Sequence, residues 1–252
     1  MANSPTKRRY CNQLEFVESG FRACWRNAQD LVSSSKLLID SGFHAPALSL
    51  DVLALEELGK LMAIDGLLYA RHDDYKASAF RKSVKNHAAK LSNLEVFPLL
   101  LLAISLADPR HGKDERFDVA LEIGGQNLKE AGNAVIAELG GESFLGLDEL
   151  KQQGFYVSAR QVNGRLLAPF ETVRLPLANA VHHFAWLATS TLDFLFKGGN
   201  LERYIENGRS VRDALTEEGH QELERRGKEE FAKLFLREGE RAESSGLTTD
   251  AN

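Results

Sequence analysis

Cysteine is nearly absent from this 252-residue chain, which has only Cys11 and Cys24. Two thiols build neither a disulfide framework nor a zinc site, and Cys24, inside a helical pattern, fits a small core residue. Proline is scarce too, six in all, which leaves the many Ala/Leu/Glu/Lys segments free to be helical. No apolar run reaches membrane length; the longest, Val96–Ala107, suits a buried helix. Lys7, Arg8 and Arg9 are followed by no apolar stretch, so a signal peptide is not expected and the cytoplasm is the expected compartment. Positive charge is not in excess either. At a net charge of −5, nucleic acid would have to be held by a local patch rather than a global field. HExxH, CxxC, P-loop and GxGxxG patterns are missing, and no serine has a nucleophile-elbow context. Glu217-x-x-His220 stands alone, whereas a di-iron bundle needs two such motifs. His182 and His183 are adjacent, so their rings point about 100° apart on a helix and one is expected to pack while the other is solvated, rather than both binding a metal. No metal and no cofactor are expected.

What remains is a chain 43% hydrophobic, ample for one domain with an extension. The expected fold is all-α: an antiparallel helical bundle with a small β-hairpin insertion and a charged C-terminal helix. Residues 1–15 read as a flexible basic arm. The bundle covers 16–200, beginning with a helix over Phe16–Ile39 that presents Trp25, Ala28, Leu31, Val32, Leu38 and Ile39, with Gly42 as its stop. A second helix runs from Ala45 to about Tyr69, and the short connection predicts a helical hairpin. Further helices are expected over Tyr75–Ser92, Glu95–Ala107, with Pro98 in its first turn, and Phe117–Leu139. A short helical turn over Leu147–Gln153 follows, and then a helix from Pro176 to Phe196. Between Phe155 and Ala168 the period changes around Asn163-Gly164, a strong hairpin signal. Residues 201–240 form a charged helical extension, with Leu223, Phe231, Leu234 and Phe235 as its dry stripe, and 241–252 a disordered tail.

The stretch Leu48–Lys60 organises the rest. Leu48, Val52, Leu55 and Met62 share a stripe at 100° per residue, so this is a buried helix. Glu56, Glu57 and Lys60 sit beside and behind that stripe, and Glu56–Lys60 also fits an ordinary i,i+4 surface pair. Gly59 costs about 1 kcal/mol against Ala in a helix, which points to close packing there. Asn27-Ala28, Ala45–Leu48 and Ala54–Lys60 (ALEELGK), with a GFYVS segment followed by Pro169, resemble the AbiV-type abortive-infection family of the HEPN superfamily. The resemblance implies a helical bundle acting as an RNase toxin in phage defence.

Between Asp74 and Glu95 no acidic residue occurs, while Lys76, Arg81, Lys82, Lys85 and Lys90 are positive. This island suits a phosphate backbone, and equally a solvated lysine face. Within it, Arg81 and His87 match the RxxxxxH spacing by which HEPN nucleases resemble one another. His87 would be the acid/base and Arg81 the phosphate clamp. Lys82, Lys85, Asn86 and Lys90 would contact RNA, and Glu56, Glu57 and Lys60 would support the cleft, Glu57 as an orienter of Arg81 or His87. The commonest HEPN form has Asn, Asp or His directly after the Arg, where this chain has Lys82. Six residues of helix rotate about 600°, which leaves Arg81 and His87 about 120° apart. His87 also shares a stripe with Phe80, Val84 and Leu91, as a core histidine would. A site therefore needs a helix break near Lys85–His87 or a dimer with a shared cleft; the resemblance implies the second, a C2 homodimer. Expected partners are RNA, a second copy, and an antitoxin or phage-encoded trigger. The other reading is a non-catalytic HEPN-type dimeric module that binds a partner protein or a nucleotide.

Overall fold

The computed structural model describes residues 5–69, 84–95, 97–141, 143–155, 158–162, 165–167, 173–197 and 199–214. Its helices are α1 (Pro5–Asp40), α2 (His44–Tyr69), α3 (His87–Ser92), α4 (Phe97–Leu106), α5 (Glu115–Glu138), α6 (Leu147–Phe155), α7 (Leu175–Phe196) and α8 (Asn200–Ala214). The chain divides into two compact units, Met1–Arg209 and Ser210–Asn252; of the second, only Ser210–Ala214, the end of α8, is described.

α2 is the central element, with α1, α3, α6 and α7 packed around it. Leu48, Val52, Leu55, Leu58 and Leu61 have no exposed surface. Each such side chain contributes about 1.5–3 kcal/mol when removed from water. α1 contributes Val17, Phe21, Ala28 and Val32 to the same core, and α7 contributes Val181, Ala185, Ala188, Leu192 and Leu195. The α1–α2 turn follows from sequence: Gly42 sits at φ +83°, Gly42 N–H donates to Ile39 O, and Phe43 N–H donates to Leu38 O. That is the hydrogen-bond pattern of a glycine-terminated helix.

Two boundaries differ from those expected. α1 begins at Pro5, so residues 5–15 are helical rather than a flexible arm. Proline is tolerated in a first turn, and Lys, Arg, Gln, Leu and Glu all favour helix. At the other end, Leu201, Tyr204 and Ile205 of α8 are buried in the core, so the bundle runs to Arg209 instead of stopping near residue 200. Mixed charge on one face of α8 hid a short apolar stripe on the other. The expected helix over 215–240 and the tail lie outside the described residues.

β1 (Ser158–Val162) and β2 (Arg165–Leu167) pair antiparallel, with an irregular register between Ser158 and Gln161. A ladder this short adds no sheet layer, and the described architecture is helical; Asn163-Gly164 lies outside the described residues. No single described helix is long and apolar enough to cross a membrane.

Asp65 ties α2 to α8, accepting the Tyr204 O–H at 2.6 Å. Burial, only partly offset by that hydrogen bond, pushes its carboxyl up to about 6. The folded value lies above the unfolded one, so the stability linked to this group is full below about pH 4 and is lost as pH rises through about 6. Asp65→Asn keeps an acceptor for Tyr204 and carries no charge. It is expected to raise stability at pH 7.5 by up to roughly 3 kcal/mol, with no gain at pH 4; urea midpoints at the two pH values check this.

Candidate active site

The helix expected over Tyr75–Ser92 does not run through. Val84 and Lys85 are helical, Asn86 is extended at φ −82° and ψ 115°, and α3 starts at His87. Asn86 is the reason: its side-chain oxygen accepts the Ala89 N–H at 3.2 Å, a cap that asparagine makes readily and a continuous helix does not need. The break re-aims His87, which is half exposed while Leu91 is fully buried. His87 is thus not a core histidine.

α3 lies directly against α2 at Gly59. A Cβ on Gly59 would stand 1.9 Å from the Lys90 carbonyl oxygen, and Asn93 Nδ2 donates to the Gly59 carbonyl at 3.0 Å. This close approach carries α3 over Glu56, one turn earlier on α2.

Glu56 is 2% exposed. Its Oε2 lies 2.6 Å from His87 Nδ1 and 2.6 Å from Lys90 Nζ, and its Oε1 accepts from Lys151 Nζ of α6. Lys151 also pairs with Asp148 at 2.8 Å. A carboxylate oxygen and a ring nitrogen at 2.6 Å both carry lone pairs, so a proton must lie between them. His87 therefore donates from Nδ1, and in the neutral ring Nε2 is then the acceptor. Lys90 and Lys151 also approach Nδ1, at 3.3 and 3.1 Å, because they converge on the same carboxylate; a cation and an N–H do not bond each other.

The charges compensate within the cluster. Burial by itself would push the Glu56 carboxyl up, but its hydrogen bonds from Lys151, Lys90 and His87 hold it below the usual range. Burial likewise pulls Lys151 down, and Asp148 and Glu56 more than restore it, leaving it above an ordinary lysine. Glu56, His87 and Asp148 bring ligand-type atoms within 4.8 Å of one another. A metal ion there would have to displace the ammoniums from both Glu56 oxygens, so this donor set fits a charge-balanced cluster rather than a metal centre.

The other expected site residues distribute as follows. Lys85 and Asn86 are exposed beside His87. Lys90, expected to contact RNA, is 5% exposed and turned onto Glu56, because α3 restarts at His87 and carries position 90 inward. Glu57 and Lys60 pair with each other at 2.5 Å and lie toward α1, where burial first and then Glu57 push the Cys24 thiol up to about 12. Neighbours on a helix diverge by about 100°, so it is Glu56 rather than Glu57 that orients His87, and Glu56 has no pair with Lys60. Arg81 and Lys82 lie outside the described residues. Lys151 and Asp148 were not singled out by sequence reasoning; their only local signal is an i,i+3 charge pair on a short helix.

α2 holds a second histidine. Asp51, fully buried, lies 3.1 Å from Nδ1 of His182 on α7. His182 is nearly covered and His183 is exposed.

Against known proteins, the HEPN family model described as AbiV matches residues 16–186, which includes every member of the Glu56 cluster. No curated protein and no solved structure matches.

Proposed function

Since this chain belongs to the AbiV family of HEPN proteins, we propose that it acts in abortive infection as a metal-independent endoribonuclease with His87 as its acid/base. The observation that carries this reading is the half-exposed His87 held through Nδ1 by the buried Glu56, which leaves Nε2 open to a substrate. In the reaction, Nε2 takes the 2′-hydroxyl proton as O2′ bonds to phosphorus and the P–O5′ bond breaks. The departing 5′-oxygen takes a proton from solvent, and a 2′,3′-cyclic phosphate end remains. Arg81 supplies the cation for charge growing on the phosphate, and Lys82, Lys85 and Asn86 hold the strand. Two copies form a C2 homodimer with α3 near the shared cleft, acting on cytoplasmic RNA under an antitoxin or a phage-encoded trigger.

A second reading has its own support. Lys90 and Lys151 are spent on Glu56 rather than presented to a phosphate, and Lys82 stands where most HEPN nucleases have a polar residue. Both suit a non-catalytic dimeric module that binds a partner protein or nucleotide.

Total cellular RNA after expression of wild type and His87→Ala, with end-group mapping, separates the two. The nuclease reading expects metal-independent cleavage with cyclic-phosphate ends, lost in a variant that stays folded by circular dichroism because Lys90 and Lys151 still hold Glu56. Cleavage that persists in the variant removes His87 from the mechanism. Intact RNA with wild type, where a control nuclease cuts, favours the module.

A further inference from the structure

Charged groups from three helices surround the His87 ring. Among the described residues, Glu56 of α2 lies 2.6 Å from Nδ1, Lys151 of α6 3.1 Å and Lys90 of α3 3.3 Å. Asp148 of α6 brings a carboxylate oxygen within 4.8 Å of a His87 ring nitrogen. The turn Phe144–Gly146, which also packs on α3, adds no charge, and Lys85 is exposed at the helix break.

The two buried lysines are not equivalent. Lys90 shares Glu56 Oε2 with His87 and belongs to the same helix, whereas Lys151 takes Oε1 from a different one. A carboxylate held at Oε2 alone can swing about its last bond. Held at both oxygens, it cannot turn without breaking an ion pair, so Lys151 fixes the direction from which Nδ1–H is met. The charge of Lys151 matters as well. A carboxylate beside an imidazole favours the protonated ring, and an ammonium disfavours it. A base has to be neutral to take a proton, so a ring paired with a lone buried carboxylate is poorly suited to pH 7. Asp148 acts in the opposite sense: it pairs with Lys151 at 2.8 Å and is partly exposed at the edge of the cluster.

We propose that Lys151 is a positioning residue for His87, fixing the Glu56 carboxylate in place and offsetting its charge at the ring, and that Asp148 limits that offset. The catalytic meaning of this arrangement rests on the nuclease reading; its electrostatic meaning does not.

The test follows the His87 ring by NMR through a pH titration of the full chain, with His87→Ala to assign the resonance and circular dichroism to check the fold. Lys151→Met keeps the apolar stem and deletes the ammonium, and the His87 midpoint is expected to rise by roughly one pH unit. Asp148→Asn keeps the shape and deletes the outer charge, and the midpoint is expected to fall. Opposite shifts from two residues of one short helix identify charge as the cause, since a packing defect has no reason to change sign. Asp148→Asn alters a partly exposed side chain, and it decides alone should Lys151→Met not fold. Under the nuclease reading, the acid limb of kcat/KM for RNA cleavage moves with each midpoint, up for Lys151→Met and down for Asp148→Asn. The proposal is overturned if, in folded protein, Asp148→Asn fails to lower the midpoint or Lys151→Met fails to raise it. The two readings fail separately. Opposite shifts without cleavage by wild type keep the positioning role and remove the nuclease, whereas cleavage with unshifted titrations removes the positioning role and keeps the nuclease.

Discussion

Glu56→Ala is expected to lower the stability of the bundle by about 3–5 kcal/mol, the usual cost of breaking a buried ion pair from one side. The side chain removed is small, but Lys90 and Lys151, 5% and 4% exposed, lose the carboxylate that both of them bind. Lys151 keeps Asp148; Lys90 is left with no described carboxylate partner. Replacing the pair together, as Glu56→Leu with Lys90→Met, is expected to recover much of the loss, since an apolar substitute needs no compensation. The pH dependence has a definite sign. The folded carboxyl is held below its usual range, so its contribution is complete above the unfolded value near 4.3 and is lost as pH falls through the folded one. The acid limb of the wild-type stability curve should therefore be steeper than that of Glu56→Gln. Urea midpoints from pH 3 to 8 decide the matter, and a Glu56→Ala protein as stable as wild type at neutral pH would show the cluster to be energetically idle.

Gly59→Ala is expected to destabilise by several kcal/mol, against the trend for helices. By intrinsic propensity alone, alanine in the middle of α2 should gain about 1 kcal/mol. The new Cβ would meet the Lys90 carbonyl oxygen at 1.9 Å and its carbon at 2.7 Å, and backbone cannot rotate aside as a side-chain tip can. α3 must then lift away from α2, taking His87 and Lys90 from Glu56. Under the nuclease reading, Gly59→Ala should also lose RNA cleavage with every polar side chain of the cluster still present. A variant that melts higher than wild type would mean that α3 does not sit on Gly59.

Much of this was legible beforehand. The α2 stripe of Leu48, Val52 and Leu55, the suspicion attached to Gly59, the stop at Gly42 and the split roles of His182 and His183 all follow from periodicity and glycine chemistry. These are local properties, set within one or two turns of the same helix. His87 was also legible as a candidate, through its spacing from Arg81.

The rest needed tertiary structure. The spacing by itself leaves a continuous helix and a core histidine open; the break at Asn86 settles where His87 goes, because a cap is favoured only once α3 has Gly59 to dock against. Glu56 and Glu57 are equivalent in the sequence, and only the packing of α1 on one side and α3 on the other decides that Glu56 enters the cluster. Lys151, 95 residues from Glu56, carries no sign of its role until α6 is laid across α2. Sequence by itself determined most of the helices, the dry face of α2 and the histidine worth watching, since these depend on neighbours along the chain. Which charges meet was decided by the fold, because a buried ion cluster is selected by mutual compensation among groups far apart in sequence.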